Sequence, residues 1–279
     1  MTTANTIKLT AETPGDAAAT PGAVAPLSIM GVGVLPFESY SQAVAYAEGF
    51  IETGRKCFCV AINPEKIHRA MNDPRVMAAL VQANIGICDG IGVAWASRLL
   101  HHRGMKRCAG CDLFFHLVAR AAERGWKVFL LGASAESNAQ AAASLAERYP
   151  GLQIAGRQDG YFKDSGEVIA KINDSGAHML FVAMGSPKQE LWITEHLDAI
   201  QAPFCMGVGG TFDVAGGLAR RAPRIFQKTG TEFLFQLVAR PGWSAKVRLE
   251  RTLARFRFLF AVARMAWFGP REKRVADTQ

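Results

Sequence analysis

An aspartate at the end of an apolar segment is the first candidate for chemistry in this sequence. Asp89 directly follows the apolar residues 85–88 and precedes Gly90. A carboxylate at the carboxyl end of a buried strand can act as a general base that takes a proton from an attacking hydroxyl group. The same residue can instead be the N-cap of the next helix, so the sequence leaves both roles open.

Two glycine-containing groups later in the chain predict a site for an anionic ligand. They are residues 185–190 (GSPKQE) and 209–213 (GGTFD). Glycine lets a ligand approach the backbone closely, and the N–H groups at a helix N-terminus attract phosphate. Ser186 and Gln189 also fit a capping box with Pro187 at the first helical position, so a plain helix start is an alternative for the first group. For the second group, a tight turn is the alternative.

The cysteine and histidine patterns do not favour a metal or redox centre. Cys108 and Cys111 have the spacing of a redox or zinc half-site, but no second such pair follows. The six cysteines lie in apolar segments, so we expect reduced and mostly buried thiols. The six histidines show no metal-ligand spacing. We predict neither a metal nor a cofactor.

The elements that must position these groups follow from the hydrophobic periodicity. Short segments that are apolar throughout alternate with longer segments of helical periodicity, which is typical of a parallel sheet covered on both faces. The predicted strands are 57–62, 85–88, 127–131, 152–156, 179–183 and 204–208. The predicted helices are 39–52, 64–83 with a break at Asp73-Pro74, 91–100, 112–124, 136–149, 165–175 and 187–200. The predicted fold class is α/β, with a doubly wound, Rossmann-like, mostly parallel sheet.

The chain of 279 residues divides into four predicted segments. Residues 1–26, rich in Thr, Ala, Pro and Gly, are predicted to be a flexible tail, and residues 27–215 the α/β core. Residues 216–270 are predicted to form a basic helical appendage, and residues 271–279 a flexible C-terminus. No stretch of about eighteen uncharged apolar residues occurs, and the first residues do not have the pattern of a secretory signal. We therefore expect a cytoplasmic protein.

The positive charge of the chain is concentrated in its last sixty residues. Residues 220–279 hold 14 Lys and Arg against 4 Asp and Glu, whereas the rest of the chain holds 18 against 20. Such a segment predicts an anionic partner, which can be a membrane surface, a nucleic acid or a phosphorylated substrate. Because no recognised nucleic-acid-binding motif is present, we predict no nucleic-acid partner.

The appendage contains an apolar stripe with helical spacing. Its members are Leu249, Leu253, Phe256, Phe260, Ala263 and Trp267. Arg248, Arg251 and Arg255 lie off the stripe, while Lys246, Arg257 and Arg264 flank it. This pattern is typical of a helix that lies in a membrane interface. The alternative is a helix that packs on the core and exposes a solvated basic face.

Taken together, the sequence motifs resemble the WecG/TagA/CpsF family of glycosyltransferases. The resemblance runs in order from about residue 30 to residue 260. Its motifs are NPEK (63–66), DG (89–90), Arg107 with Gly110 and Asp112, QDGYF (158–162), AMGSPKQE (183–190), GVGGTFD (207–213) and RAP (221–223). The resemblance implies a metal-independent, inverting enzyme that moves a sugar from a UDP-sugar to a polyprenyl-diphosphate-linked acceptor. Such enzymes build bacterial surface polysaccharide or teichoic-acid linkage units, and the donor sugars implied are N-acetylmannosamine, its uronic acid or glucose.

The resemblance also implies roles for particular residues. Asp89 falls on the family's proposed general base, and Asn63, Arg107 and Gln189 fall on its substrate-contacting residues. Further predicted substrate-binding residues are Gly185, Ser186, Lys188, Gly209, Gly210, Thr211 and Asp213. The residues predicted to meet the acceptor diphosphate or an anionic membrane surface are Arg220, Arg221, Arg224, Arg248, Arg251 and Arg255. The implied location is peripheral, on the inner face of the cytoplasmic membrane.

One position departs from the family pattern. Many members carry Thr two residues before the substrate-contacting Asn, where this chain carries Ala61. A hydroxyl group that would contact the sugar or the acceptor is therefore missing. This leaves open an alternative function, a nucleotide-sugar-binding protein without transferase activity.

Overall fold

A parallel sheet with helices on both faces forms the centre of the protein. The computed structural model describes residues 24–219, 222–223, 225–226 and 245–268. Within these residues the sheet has six strands in the order β4-β3-β8-β7-β5-β6, and every neighbouring pair is parallel. The strands are β3 (Cys57–Ile62), β4 (Ile85–Cys88), β5 (Lys127–Gly132), β6 (Gln153–Gln158), β7 (Met179–Ala183) and β8 (Phe204–Gly207). The predicted Rossmann-like fold class is confirmed.

A small hairpin precedes this sheet and was not predicted from the sequence. Strands β1 (Leu27–Ile29) and β2 (Val32–Val34) pair in antiparallel fashion, and Leu35 then forms a parallel bridge with Ile87 of β4. Each strand has three residues, which is too short for a periodic pattern to be recognised. Residues 1–23 of the predicted tail 1–26, and the whole predicted tail 271–279, lie outside the described residues.

The helices alternate with the strands, as the periodicity predicts. They are α1 (Tyr40–Thr53), α2 (Pro64–Ala70), α3 (Pro74–Val81), α4 (Ile91–His101), α5 (Gly110–Arg124), α6 (Ala135–Arg148), α7 (Ser165–Asp174), α8 (Lys188–His196), α9 (Thr211–Ala215) and α10 (Ala245–Phe268). The break at Asp73-Pro74 is confirmed, because Asp73 is the N-cap of α3 and accepts a hydrogen bond from the backbone N–H of Arg75.

Alternate residues of each strand supply two apolar layers, one on each face of the sheet. In β3, Phe58 and Ile62 belong to one layer, while Cys57 and Cys59 belong to the other. All six residues of β3 are buried. A strand buried on both faces is typical of a doubly wound sheet, and it places the polar chemistry at the strand ends rather than on a face.

The C-terminal helix α10 packs against the core over α2 and α4. Phe258 and Val262 are fully buried and join the apolar layer that contains Phe58 and Ile62. The predicted apolar stripe points elsewhere, since Phe256 is 65% exposed and Phe260 is 73% exposed. The helix therefore packs on the core, as the alternative interpretation predicted, and exposes its apolar stripe on another face; contact of this stripe with a membrane stays a prediction. None of the described helices is both long and apolar enough to span a bilayer.

Candidate active site

A cavity of about 460 Å³ lies where α10 crosses the carboxyl ends of β3 and β4. The core contributes the residues that follow these two strands, the first turns of α4, and Arg107. The helix α10 contributes Arg251, Thr252, Arg255, Phe256 and Leu259. This cavity brings together Asp89, Asn63 and Arg107, which the sequence analysis predicted from separate motifs.

Asp89 lies at the end of β4 and is held there through its backbone. Its N–H donates to the carbonyl oxygen of Ile62 over 2.8 Å, which continues the pairing of β3 with β4 beyond the last strand residue. Gly90, with a φ of 113°, is the N-cap of α4, so the N-cap prediction for Asp89 is wrong. The Asp89 side chain instead lines the cavity. This placement is the one that a general base at a strand end requires.

Arg107 reaches the cavity because the segment before α5 is tied to β4. The backbone N–H of Cys108 donates to the carbonyl oxygen of Cys88 over 2.8 Å. The N–H of Ala109 donates to the Tyr40 hydroxyl over 3.1 Å, and this hydroxyl in turn donates to Oδ2 of Asp112. The two residues that follow Arg107 are therefore anchored, one by a strand and one by a half-buried tyrosine.

The thiol beside Asp89 is kept protonated. Burial raises the pKa of Cys88 to about 12, and the neighbouring Asp89 carboxylate acts in the same direction while Arg107 opposes it. Among the described residues the cysteines carry free thiols, and Cys111 is more accessible than the buried Cys108. The described residues contain no cluster of three or more His, Cys, Asp or Glu side chains suited to hold a metal ion.

Asn63 begins the other side of the cavity. It is the N-cap of α2, and its Oδ1 accepts from the backbone N–H of Lys66 over 3.0 Å. Pro64 follows at the first helical position and lies so close to α4 that a Cβ on Gly92 would be 2.6 Å from its ring. This close approach, which glycine permits, brings the starts of α2 and α4 together around the cavity.

Glu65 connects the core to α10 through two arginines. Oε2 of Glu65 lies 2.5 Å from Nε of Arg251, and Oε1 accepts from Nη2 of Arg255. Glu65 and Arg255 are largely buried in this arrangement. Burial lowers the pKa of Arg255, and the Glu65 carboxylate opposes that shift. Both arginines were predicted to meet an acceptor diphosphate or a membrane, and both line the cavity that holds Asp89.

The remaining wall of the cavity is apolar. Ile91 and Trp95 from α4 face Phe256 and Leu259 from α10 across it. Ile91 is 50% exposed and Trp95 is 45% exposed, so this wall continues to the protein surface. The cavity lining therefore combines charged and apolar side chains.

The 185–190 group surrounds the start of α8, although not as the predicted capping box. The helix begins at Lys188 with Pro187 as its N-cap, so the capping-box interpretation of Ser186 is wrong. The exposed Lys188 donates to the carbonyl oxygen of Gly160 over 3.3 Å. Gln189 is only 2% exposed, and protein groups hold its amide. Gly185 has a φ of 76° and leaves open space around its Cα.

The 209–213 group forms the turn between β8 and α9. Gly209 has a φ of 56°, and its N–H donates to Oε1 of Gln189 over 3.0 Å. Gly210 is the N-cap of α9, and Thr211 donates to the carbonyl oxygen of Val208 over 2.6 Å. Asp213 accepts from the Ser137 hydroxyl over 2.7 Å, which ties α9 to α6.

Some of the predicted site residues lie outside the cavity, and two residues that line the cavity were given no role from the sequence. Arg220, Arg221 and Arg224 lie outside the described residues, and Arg248 is on α10 but does not line the cavity. The sequence analysis did not assign a role to Glu65 or Trp95. Glu65 could not have been found from the sequence, because its arginine partners lie far away along the chain. Trp95 could have been found because it follows Ile91 by one helical turn.

The family comparison covers the segments of the chain that form this cavity. The model of the glycosyl transferase WecG/TagA/CpsF family matches residues 27–272. The chain belongs to this family. It is a glycosyltransferase of cell-surface polysaccharide synthesis, and it uses a sugar donor and a glycan acceptor. The matched residues include both the Rossmann-like core and α10, so the cavity between them is built entirely from the family's own segment.

The Glu65 contact gives a prediction about how α10 is held. Glu65→Gln keeps the side-chain shape but removes the charge that binds Arg251 and Arg255. We expect the free energy of unfolding to fall by about 1–3 kcal/mol, the range of hydrogen bonds to charged groups, and proteolysis within α10 to become faster. Chemical denaturation and timed trypsin digestion measure these effects. Glu250→Gln, at an exposed position of the same helix, is the matched control. Equal stability of the two variants would contradict the role of Glu65.

Proposed function

We propose that this glycosyltransferase inverts the anomeric centre, needs no metal ion, and moves a sugar from a UDP-sugar to a polyprenyl-diphosphate-linked acceptor in bacterial surface polysaccharide synthesis. The donor sugar is N-acetylmannosamine, its uronic acid or glucose. The observation that carries the proposal is a single cavity that joins the Asp89 carboxylate, three arginines and an apolar wall. Its charged side suits a phosphorylated sugar substrate, and its apolar side suits a lipid.

The proposed chemical step is a direct displacement with Asp89 as the base. The acceptor hydroxyl oxygen attacks the anomeric carbon, and Asp89 takes the hydroxyl proton. The bond from the anomeric carbon to the diphosphate oxygen breaks, and UDP leaves with the electron pair. Attack opposite to the leaving group inverts the configuration. Asp89 fits this role because it lines the cavity at the end of β4 rather than capping α4.

The charge of the leaving diphosphate is proposed to be balanced by arginines and backbone N–H groups. Arg107 lines the cavity beside Asp89, and Arg251 and Arg255 line it from α10. The N–H groups of the turns that contain Ser186, Gly210 and Thr211 are further donors in this proposal. Arg220, Arg221 and Arg224 are proposed to join them. Guanidinium groups bind phosphate oxygens in a bidentate manner, which suits this task.

The acceptor is proposed to lie across the two sides of the cavity. Its diphosphate would bind near Arg251 and Arg255, and its first isoprenoid units would lie along Trp95 and Phe256. These aromatic residues line the cavity and are also exposed at its rim, so an apolar chain can leave the site without crossing polar surface. A water-soluble sugar acceptor would bury less apolar area against this wall and would therefore gain less from it than an isoprenoid chain.

The outward face of α10 is proposed to lie in the inner interface of the cytoplasmic membrane. The exposed stripe includes Phe256, Phe260 and Trp267, the last of which is 79% exposed. Lys246 and Arg257 are exposed beside it, where they can meet anionic head groups. Because the same helix lines the cavity, this contact would bring the site to its lipid-linked acceptor.

The base assignment predicts the effect of Asp89→Asn. The amide keeps the shape of the carboxylate but cannot accept the proton, so we expect the transfer rate to fall by roughly 10²–10⁴. UDP binding and thermal stability should stay near the wild-type values. UDP release with lipid acceptor measures the rate, and Asp174→Asn, at an exposed position on α7, is the control.

Turnover by Asp89→Asn within a few-fold of wild type would show that Asp89 is not the base. A wild-type protein that binds UDP-sugars but never releases UDP would instead support the non-catalytic alternative.

Metal independence is tested by chelation. Because the proposal assigns charge neutralisation to Arg107, Arg251 and Arg255, transfer should proceed at an unchanged rate in excess EDTA. The rate of UDP release with and without EDTA measures this. Loss of activity on chelation, with recovery on adding Mg²⁺ or Mn²⁺, would refute the arginine-based mechanism.

The membrane contact is tested by placing charge in the exposed stripe. Phe256→Glu with Phe260→Glu should weaken binding to anionic vesicles at least tenfold. Each buried aromatic contributes on the order of 1.5–3 kcal/mol when fully withdrawn from water, and an interface withdraws only part of it. Vesicle sedimentation measures the binding, and high salt should reduce wild-type binding only partly because the apolar contribution is not screened.

These substitutions leave the packing face of α10 intact. Truncation of the helix would instead remove the buried Phe258 and Val262 and expose the core. Val81→Glu, on an exposed apolar residue of α3, is the matched control and should bind vesicles as wild type does. Unchanged sedimentation of the double variant would rule out the stripe as the membrane contact.

A further inference from the structure

A buried polar network joins the loops that follow three strands of the sheet. Nζ of Lys66 in α2 lies 2.7 Å from Oε1 of Glu190 in α8. The same oxygen accepts from Nε2 of Gln189 over 2.9 Å, and Oε1 of Gln189 accepts from the backbone N–H of Gly209 over 3.0 Å. Glu190 is fully buried, Gln189 is 2% exposed and Lys66 is 8% exposed. The chain of contacts thus runs from the end of β3, through the end of β7, to the end of β8.

The two partners of Gln189 fix the orientation of its amide. An ionised carboxylate only accepts hydrogen bonds, so Glu190 requires the NH₂ end of the amide. A backbone N–H only donates, so Gly209 requires the oxygen end. Both requirements select the same orientation. If Glu190 were neutral or absent, the amide could turn over, and the Gly209 N–H would then face a donor.

The network is in direct contact with the glycine turn after β8. A Cβ on Gly207 would lie 2.5 Å from Nε2 of Gln189, so the side chain lies closely against the backbone there. Gly209 has a φ of 56°, a conformation that glycine adopts readily, so the hydrogen bond from its N–H selects one of several accessible conformations. Gln189 therefore acts on the turn from two sides, by contact at Gly207 and by a hydrogen bond at Gly209.

A buried ion pair of this kind contributes more to the relative position of its two segments than to the free energy of unfolding. Removing Lys66 and Glu190 from water costs several kcal/mol for each ion, which their attraction roughly repays. Breaking the pair leaves a buried charge without a counter-ion, whereas removing both charges does not. Lys66 is also fixed through its backbone N–H, which donates to Asn63 at the cavity. The pair therefore joins two regions of the site in one fixed relationship.

We infer that Lys66 and Glu190 are positioning residues that shape the Gly207–Thr211 turn for the donor diphosphate, acting through Gln189. This rests on the proposed function, in which the Gly210 N–H of this turn binds the diphosphate of the UDP-sugar, while the N–H groups of Val208, Gly209 and Thr211 hold the turn through protein acceptors. Lys66 pairs with the Glu190 carboxylate, this carboxylate orients the Gln189 amide, and the amide oxygen holds the Gly209 N–H. Gln189 thus serves the donor by holding the turn.

The test compares single and paired substitutions of the network. Lys66→Met and Glu190→Gln should each weaken UDP binding and raise the donor KM about tenfold, the size expected when the net contribution of one hydrogen bond is lost. The acceptor KM and the kcat at saturating donor should change less than about twofold. Lys66→Met combined with Glu190→Gln should bind UDP better than either single variant, because no buried charge is left unpaired. Calorimetry with UDP and steady-state kinetics measure these values.

A matched control separates positioning from general destabilisation. Glu48, which is 8% exposed, is paired with Arg124 over 3.1 Å between α1 and the end of α5. Glu48→Gln therefore breaks a comparable ion pair away from the turn, and it should lower stability while leaving the donor KM unchanged. A donor KM that rises equally in Glu48→Gln would overturn the inference, as would folded single variants that bind UDP like wild type.

A second variant and a second measurement cover the case in which a single variant does not fold. Gln189→Met leaves the Lys66–Glu190 pair intact and should reproduce the loss of UDP affinity. Amide hydrogen exchange at Gly209 should become faster in Gln189→Met and in the paired Lys66→Met, Glu190→Gln variant. Unchanged exchange and affinity in Gln189→Met would overturn the inference. A wild-type protein that does not bind UDP would overturn the proposed function itself.

Discussion

The carboxylate of Glu65 is the charge on which the arrangement of the site depends. Arg251 and Arg255 lie one helical turn apart on α10 and point to the same cavity, where their like charges repel. Glu65 binds both and lies in the first turn of α2, beside the cavity residue Asn63. Without this carboxylate the like charges of the two guanidinium groups would lose the counter-charge that they share. One side chain therefore sets both the position of α10 and the charge that faces Asp89.

The helix α10 contacts the core, the cavity and the protein surface, because its side chains project in different directions. Phe258 and Val262 pack into the core, Arg251 and Arg255 face the cavity, and Phe260 faces outward. Phe256 belongs to both the cavity rim and the outward stripe. A rigid helix cannot move one of these faces without moving the others. Contact of the outward face with a membrane would therefore fix the cavity relative to the lipid surface as well.

The sequence was sufficient to predict the layers of the fold and the strand ends at which the candidate site lies. It was not sufficient to predict the contacts between the side chains of that site. The strands at 57–62 and 85–88 were predicted with their observed bounds, because a segment buried on both faces is apolar throughout. The rule that ligands bind at carboxyl ends of parallel strands then placed Asp89 and Asn63 together. The partner of Arg251 and Arg255 could not be predicted, because Glu65 is 186 residues away in the chain from Arg251 and periodicity carries no information about such pairs.

The capping alternatives for two polar motifs were wrong for a related reason. Asp89 and Ser186 both have residue types that cap helices, yet the caps are Gly90 and Pro187. Capping preferences describe what a local segment favours, whereas these loops are shaped by contacts between strands, such as the bond from Asp89 to Ile62. When a polar residue at a strand end does not cap the following helix, its side chain can face the edge of the sheet where ligands bind. Asp89 is such a residue, because Gly90 is the cap and Asp89 lines the cavity.

The charge balance of the cavity indicates which groups must neutralise the substrate diphosphates. Three arginines and two carboxylates line it, so the cavity alone carries little excess positive charge. A diphosphate brings more negative charge than this excess can match, and a substrate pair in which both donor and acceptor carry diphosphates brings still more. Additional donors must therefore come from outside the cavity lining. Backbone N–H groups can supply them without adding mobile side chains, provided that their turn is held rigid. In this protein the turn after β8 is held by Gln189, and the buried charges of Lys66 and Glu190 hold Gln189 in turn.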